Sequence, residues 1–152
     1  MKLPDDLHIG DILLYNSADL TDEIIDVVSG DDVAHVEVYA GNGQSWASRN
    51  GIGVALYTFR PDGLKSVRRL VHPLDESAVE AWFKTVNGTA YGWGDILDNA
   101  DIQTGLPGMD CSHFAAALLE TGGCPQFDTS YPKLKIKPRD FKLSLASYEI
   151  IF

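Results

Sequence analysis

The chain reads as an α+β domain built on a small antiparallel sheet, and three observations lead there. Apolar and polar residues alternate from Ala34 to Ala40 and stop at Gly41-Asn42-Gly43. Period-two alternation ending in a turn of residues that tolerate positive φ is a hairpin signature. Asp75 to Asn87 carries Val79, Trp82, Phe83 and Val86 at helical spacing, with Asp75 able to cap its start. Strand-like runs cluster before and between helical ones, which favours segregated α+β packing over alternating βαβ units.

In chain order, Ile12 to Tyr15 predicts a short strand after Gly10-Asp11. Thr21-Asp22-Glu23 then opens a helix with acidic first-turn residues, Ile24, Ile25, Val27 and Val28 give it an apolar face, and Gly30 closes it. The Ala34–Ala40 strand turns into Gln44 to Ser48. Val54 to Phe59 and Ser66 to His72 follow as strands separated by the turn Pro61-Asp62-Gly63. After the Asp75 helix, residues 88–110 hold five glycines and read as a long loop; loops of that length in compact domains usually carry function. A third helix runs from about Ser112 to Thr121, with Phe114, Ala115, Leu118 and Leu119 inward and Gly122-Gly123 as its stop. Tyr148 to Phe152 reads as a last strand.

Length and composition bound the function. At 152 residues, with no repeat and no Pro/Gly/Ser-rich linker, the chain reads as one domain. Twelve Lys and Arg against 22 Asp and Glu leave a net charge of −10. That argues against phosphate-tracking nucleic-acid binding and against adsorption to anionic membranes, and it predicts solubility. No apolar run approaches the roughly 20 residues of a membrane-spanning helix. The start, Met1-Lys2-Leu3-Pro4-Asp5-Asp6, lacks the basic-then-apolar pattern of a Sec signal. The expectation is a soluble protein, either cytoplasmic or delivered by a phage particle, lysis or a dedicated secretion machine. The only cysteines, Cys111 and Cys124, could form one disulfide but no scaffold. With the histidines scattered, no metal site and no cofactor are expected. The oligomeric state is left open.

The chemistry concentrates at Cys111. It follows Asp110 at the start of the third helix, where unpaired amides and the helix dipole favour an anion and so a thiolate. Free cysteines are usually inert core residues, but Asp110, Ser112 and His113 make an unusually polar setting for one. Cys124, before Pro125 and outside any helix start, fits the inert reading. His35 shares a strand face with Glu37, so an imidazole could accept the thiol proton while a carboxylate orients the ring. His113 competes as base, but i and i+2 positions on a helix diverge. His8 and His72 are given no role.

These stretches resemble the NlpC/P60 cysteine peptidases. Tyr91-Gly92-Trp93-Gly94 followed by Asp110-Cys111-Ser112-His113-Phe114 is similar to that family's Tyr-x-Trp-Gly-Gly stretch and its Asp-Cys-Ser-Gly-Phe. His35-Val36-Glu37-Val38-Tyr39-Ala40-Gly41-Asn42-Gly43 is similar to its His-Val-Gly-Ile-Tyr-x-Gly-Asn-Gly strand and turn, and Gly10-Asp11-Ile12-Leu13 to the preceding Gly-Asp-Leu strand. The histidine half comes first here, an order that resembles the circularly permuted papain-like branch of YiiX-like enzymes and lecithin:retinol acyltransferase relatives. The resemblance implies a permuted papain-like fold, a small antiparallel sheet or barrel packed on helices. It also implies a cysteine peptidase or amidase with Cys111 as nucleophile and His35 as base. The implied partner is a peptide or muropeptide, the stem peptide of the bacterial cell wall, and Tyr91, Asp110 and Ser112 match positions that hold its free amine.

The chain departs from the pattern at Asp95 and His113, which replace glycines, and in a longer stretch between Gly94 and Asp110. The family's third polar residue, about a dozen positions after the base, meets Ser45-Trp46-Ala47-Ser48. Either Glu37 or Ser48 must then orient His35, with Glu37 favoured for its charge and placement, and Ser48 otherwise left to line the pocket. Two alternatives remain: a lipid acyltransferase or thioesterase of the same permuted fold, and a non-catalytic binding or virion module. The acidic charge itself argues against direct attraction to an anionic wall.

Overall fold

The computed structural model describes residues 5–16, 33–91 and 109–151. It is an α+β structure built on a six-stranded sheet. The strands are β1 (Ile12–Asn16), β2 (Val33–Gly41), β3 (Gln44–Arg49), β4 (Gly53–Thr58), β5 (Leu64–Leu70) and β6 (Ser147–Ile150). They lie in the order β4-β3-β2-β1-β5-β6, and every neighbouring pair is antiparallel. Two α-helices, α1 (Glu76–Val86) and α2 (Cys111–Thr121), and two 3-10 segments, Lys133–Lys135 and Pro138–Leu143, complete the described elements. The helix expected over 21–30, and Trp93, Gly94 and Asp95 of the expected loop, lie outside the described residues.

β2 is the axis of the sheet, flanked by β3 and β1 and buried at every position but Ala40. Its alternation sorts side chains to the two faces. Val36 and Val38 join Ile12, Leu14 and Trp46 in a large core that includes Phe114 and Leu118 of α2 and Val79 and Phe83 of α1. Tyr39 joins Leu13, Tyr15, Phe59 and Val67 in a smaller second cluster. Each fully buried Leu or Phe contributes roughly 1.5–3 kcal/mol of transfer free energy, so the larger cluster dominates stability. The β2–β3 hairpin needs its glycines: Gly41, Asn42 and Gly43 all take positive φ, at 87°, 52° and 71°.

The helices are bounded by polar chemistry. Asp75 caps α1 by accepting from the Ala78 amide at 3.1 Å, and the Asn87 amide closes it on the Phe83 carbonyl at 2.8 Å. From there the chain is stitched to the start of β4, Val54 N to Thr89 O at 2.8 Å and Gly88 N to Val54 O at 2.9 Å. Gly53 is required at that junction: its φ is +96°, and a Cβ would collide with the Thr89 carbonyl. α1 packs on α2 through Trp82 stacked on Phe114, ring centroids 5.7 Å apart.

Several boundaries differ from those the sequence suggests. β5 starts at Leu64, because the Leu64 amide bonds the Pro61 carbonyl at 3.1 Å and the chain leaves the turn already extended. It ends before Val71 and His72, ahead of Pro73. The last strand is Ser147–Ile150, held by pairing with β5 from Leu70 to Val67. The 3-10 segments had no periodic signal. Both cysteines are free, so no disulfide joins them. Among the described residues, no helix is long and apolar enough to cross a membrane.

Candidate active site

β2 contributes His35 and Glu37, two residues apart and on one face. Strand burial leaves them 2% and 0% exposed. Ionisable groups this deep need partners, because an unpaired buried charge is prohibitively costly. His35 Nε2 and Glu37 Oε2 are 2.7 Å apart. Glu37 is also gripped from β3: Arg49 Nε donates to Oε2 at 2.7 Å and Arg49 Nη2 to Oε1 at 2.9 Å. The strand register explains the reach. Val38 pairs with Trp46, which extends to place Glu37 diagonally from Arg49, a separation that a long side chain spans.

α2 contributes the sulfur. Asp110 caps the helix, its Oδ1 accepting from the His113 amide at 2.7 Å and from the Ser112 hydroxyl at 3.3 Å. That cap fixes where the helix starts, and so where Cys111, 1% exposed, presents its thiol. Cys111 is close enough to His35 to favour the charged form of its ring. Nε2 is engaged by Glu37, so Nδ1 is the nitrogen left for the sulfur. Among the described residues Nδ1 has no partner at full hydrogen-bond geometry.

Electrostatics reinforce the arrangement. Burial works against charging His35, but Cys111 and then Glu37, through charge and hydrogen bonding, outweigh it and push the imidazole up to about 10. Burial works against the Glu37 carboxylate too; hydrogen bonds from His35 and Arg49, then their charges, hold it at about 2. Tyr15 closes the far side, its ring centroid 5.8 Å from that of His35 and its hydroxyl donating to the Arg60 carbonyl at 2.9 Å. Burial, then the charge of Glu37, keep that phenol well above its ordinary value.

The other expected site residues fall nearby in different roles. Ser48 donates to the Met109 carbonyl at 2.7 Å, so its hydroxyl ties β3 to the segment leading into Cys111 and does not orient His35. Tyr91 is buried and bridges Met109 in a short parallel pairing. Asp110 and Ser112 are buried at the helix start. His113 is half-buried on α2, and His8 and His72 are exposed. Arg49 escaped the sequence reading, which stopped one residue short of it. Its signal is strand periodicity: on a strand paired with β2, a basic residue at position 49 shares a face with an inward carboxylate.

No family model matches the chain, and no curated protein matches it. Among solved structures it is similar to the crystal structure of metalloprotein yiiX from Escherichia coli O157:H7, DUF1105. The TM-score is 0.64, over 95% of this chain and 96% of that one, at 14% sequence identity. At that identity the likeness is one of fold alone. The chain therefore shares, at a distance, the fold of yiiX.

Proposed function

We propose that this protein is a cysteine hydrolase acting on an amide bond, with a circularly permuted papain-like arrangement in which the base precedes the nucleophile in the chain. The observation that carries the reading is the buried line from Cys111 through His35 to Glu37. Nδ1 of His35 takes the proton from Cys111 Sγ, and the thiolate attacks the substrate carbonyl carbon. The oxyanion accepts from the Cys111 backbone amide at the helix start, where such donors are preorganised. Collapse of the tetrahedral intermediate breaks the C–N bond, and the imidazolium gives its proton to the departing amine. Water, deprotonated by His35, then cleaves the thioester, releasing a carboxylic acid and restoring the thiol. Glu37 holds the ring through Nε2 and stabilises its charged form throughout.

The substrate class rests on the motif resemblance: a bacterial cell-wall stem peptide, with Tyr91, Asp110 and Ser112 receiving its free amine. Charge-assisted bonds from an ammonium to a carboxylate and hydroxyls are of the stronger class. The fold neighbour is called a metalloprotein, but this donor set does not fit a metal. Both Glu37 oxygens accept from Arg49, one of them also bonds His35, and a divalent cation there would meet a guanidinium. Among the described residues no three His, Cys, Asp or Glu side chains group as ligands.

The test incubates the purified protein and its Cys111→Ala variant with muropeptides and, separately, with lipid acyl esters, from pH 5 to 9. Mass spectrometry is expected to find a Cys111-dependent cleaved peptide. Cys111-dependent loss of acyl chain instead transfers the mechanism to lipid esters. No product in either arm overturns the hydrolase reading.

A further inference from the structure

The buried cluster raises a charge question that the three-residue line cannot answer. A reacting thiolate, imidazolium and carboxylate together carry a net −1. An uncompensated charge in the interior costs several kcal/mol. Arg49 supplies the opposite charge in direct contact with Glu37 and brings these four side chains to zero. Its guanidinium makes two parallel bonds to Glu37, at 2.7 and 2.9 Å, which is the strongest geometry available to such a pair. It is held in turn over the Tyr57 ring, 4.1 Å from the centroid, a cation–π contact that restricts where it can swing. The other ionisable groups around the cluster are Tyr15 on β1, Tyr57 on β4, Asp110 and His113 at the start of α2, and Arg60, whose guanidinium lies 5.0 Å from the Tyr15 ring centroid. Arg49 is the cation in direct contact with Glu37.

We infer that Arg49 is a positioning residue of this site: it clamps Glu37 so that its carboxylate stays aimed at His35 Nε2, and thereby holds the imidazole in the orientation and charge that serve Cys111. The inference rests on the Cys111–His35 reading above and extends it. Arg49 acts through Glu37, its hydrogen-bond partner. The sign follows from the proton shared along the line. With Arg49 present, the carboxylate stays ionised and favours the imidazolium, which favours the thiolate. Without it, a buried Glu37 with His35 as its remaining partner draws the proton to itself, His35 becomes neutral, and the thiolate loses its counter-ion.

The test follows alkylation of Cys111 by iodoacetamide as a function of pH, in full-length protein carrying Cys124→Ala, with Arg49→Gln and Arg49→Lys compared to the parent. Midpoints are compared, because Cys111 is buried and access slows all three proteins alike. The parent is expected to label faster near pH 6 than a model thiol does. Arg49→Gln is expected to move the midpoint up by at least about one pH unit, roughly a tenfold loss of labelling near pH 6. Arg49→Lys keeps the charge without the two-pronged geometry and is expected to fall between. Circular dichroism and thermal melting check each fold; should Arg49→Gln fail to fold, the Lys variant alone decides, by an intermediate shift or none. A folded variant with the parental profile overturns the inference. A parent that labels like a model thiol overturns the nucleophile reading itself. Because labelling reads the thiolate and not turnover, the inference stands or falls even if no muropeptide is cleaved.

Discussion

The two cysteines of this chain are both buried and both flank α2, one at its first residue and one just past its last turn, yet their surroundings are opposite. Cys124 points its thiol at carbonyl oxygens, those of His72 at 3.4 Å, Pro73 at 3.5 Å and Gly122 at 3.8 Å. A thiol can donate to them; a thiolate would be repelled by all three, and burial pushes this group up. Cys111 sits where the helix presents amide hydrogens, beside an imidazole backed by a carboxylate and a guanidinium. Burial is common to both, so burial alone says nothing about reactivity. The sign of the dipoles aimed at the sulfur decides.

The widest gap between the two is expected in turnover. Cys111→Ala should lower amide hydrolysis by at least about a thousandfold, as removal of a nucleophile does, while Cys124→Ala stays within about twofold. Comparable losses would erase the contrast. His35→Gln sharpens it next: alkylation of Cys111 at pH 6.5 is expected to fall about tenfold or more, with Cys124 labelling unchanged. A third change acts on stability. Glu37→Gln leaves Arg49 facing a neutral amide, and chemical denaturation at pH 7 should show a loss of about 3 kcal/mol. Glu37 is held low in the folded state, so its contribution is present above the ordinary carboxylate value of about 4.3 and is lost as pH falls through about 2. The difference between parent and variant should therefore shrink over that acid window. A gap that persists unchanged to pH 2 would assign the loss to packing instead. The smallest effect belongs to the cap. Asp110→Ala removes one acceptor from the start of α2 and should cost about 1 kcal/mol, read as a drop of a few degrees in Tm.

Local rules made the sheet readable and long-range ones did not. The alternation of Val36, Glu37, Val38 and Tyr39 and the Gly41-Asn42-Gly43 turn are local, and they place β2 and β3 within a residue or so. Asp75 and Asp110 advertise their helices because capping acts within three residues. The 3-10 segments around Lys133 and Pro138 are too short for any periodicity. At the site, His35 and Glu37 pair at a separation of two, which alternation foretells. The Arg49 clamp needs knowledge of which strands are neighbours, and the Ser48 bond to Met109 spans 61 positions. No pattern in one stretch announces a hydroxyl that finds its carbonyl across the fold.

That last bond, with the Tyr91–Met109 bridge and the Met109 amide on the Ala90 carbonyl at 3.2 Å, brings residues 91 and 109 to the same spot. Position 109 stands two residues ahead of the sulfur, so the address of the thiol is set by attachments to β3 and to residues 90 and 91 as well as by its own helix. A nucleophile anchored from several directions cannot drift when any one of them relaxes.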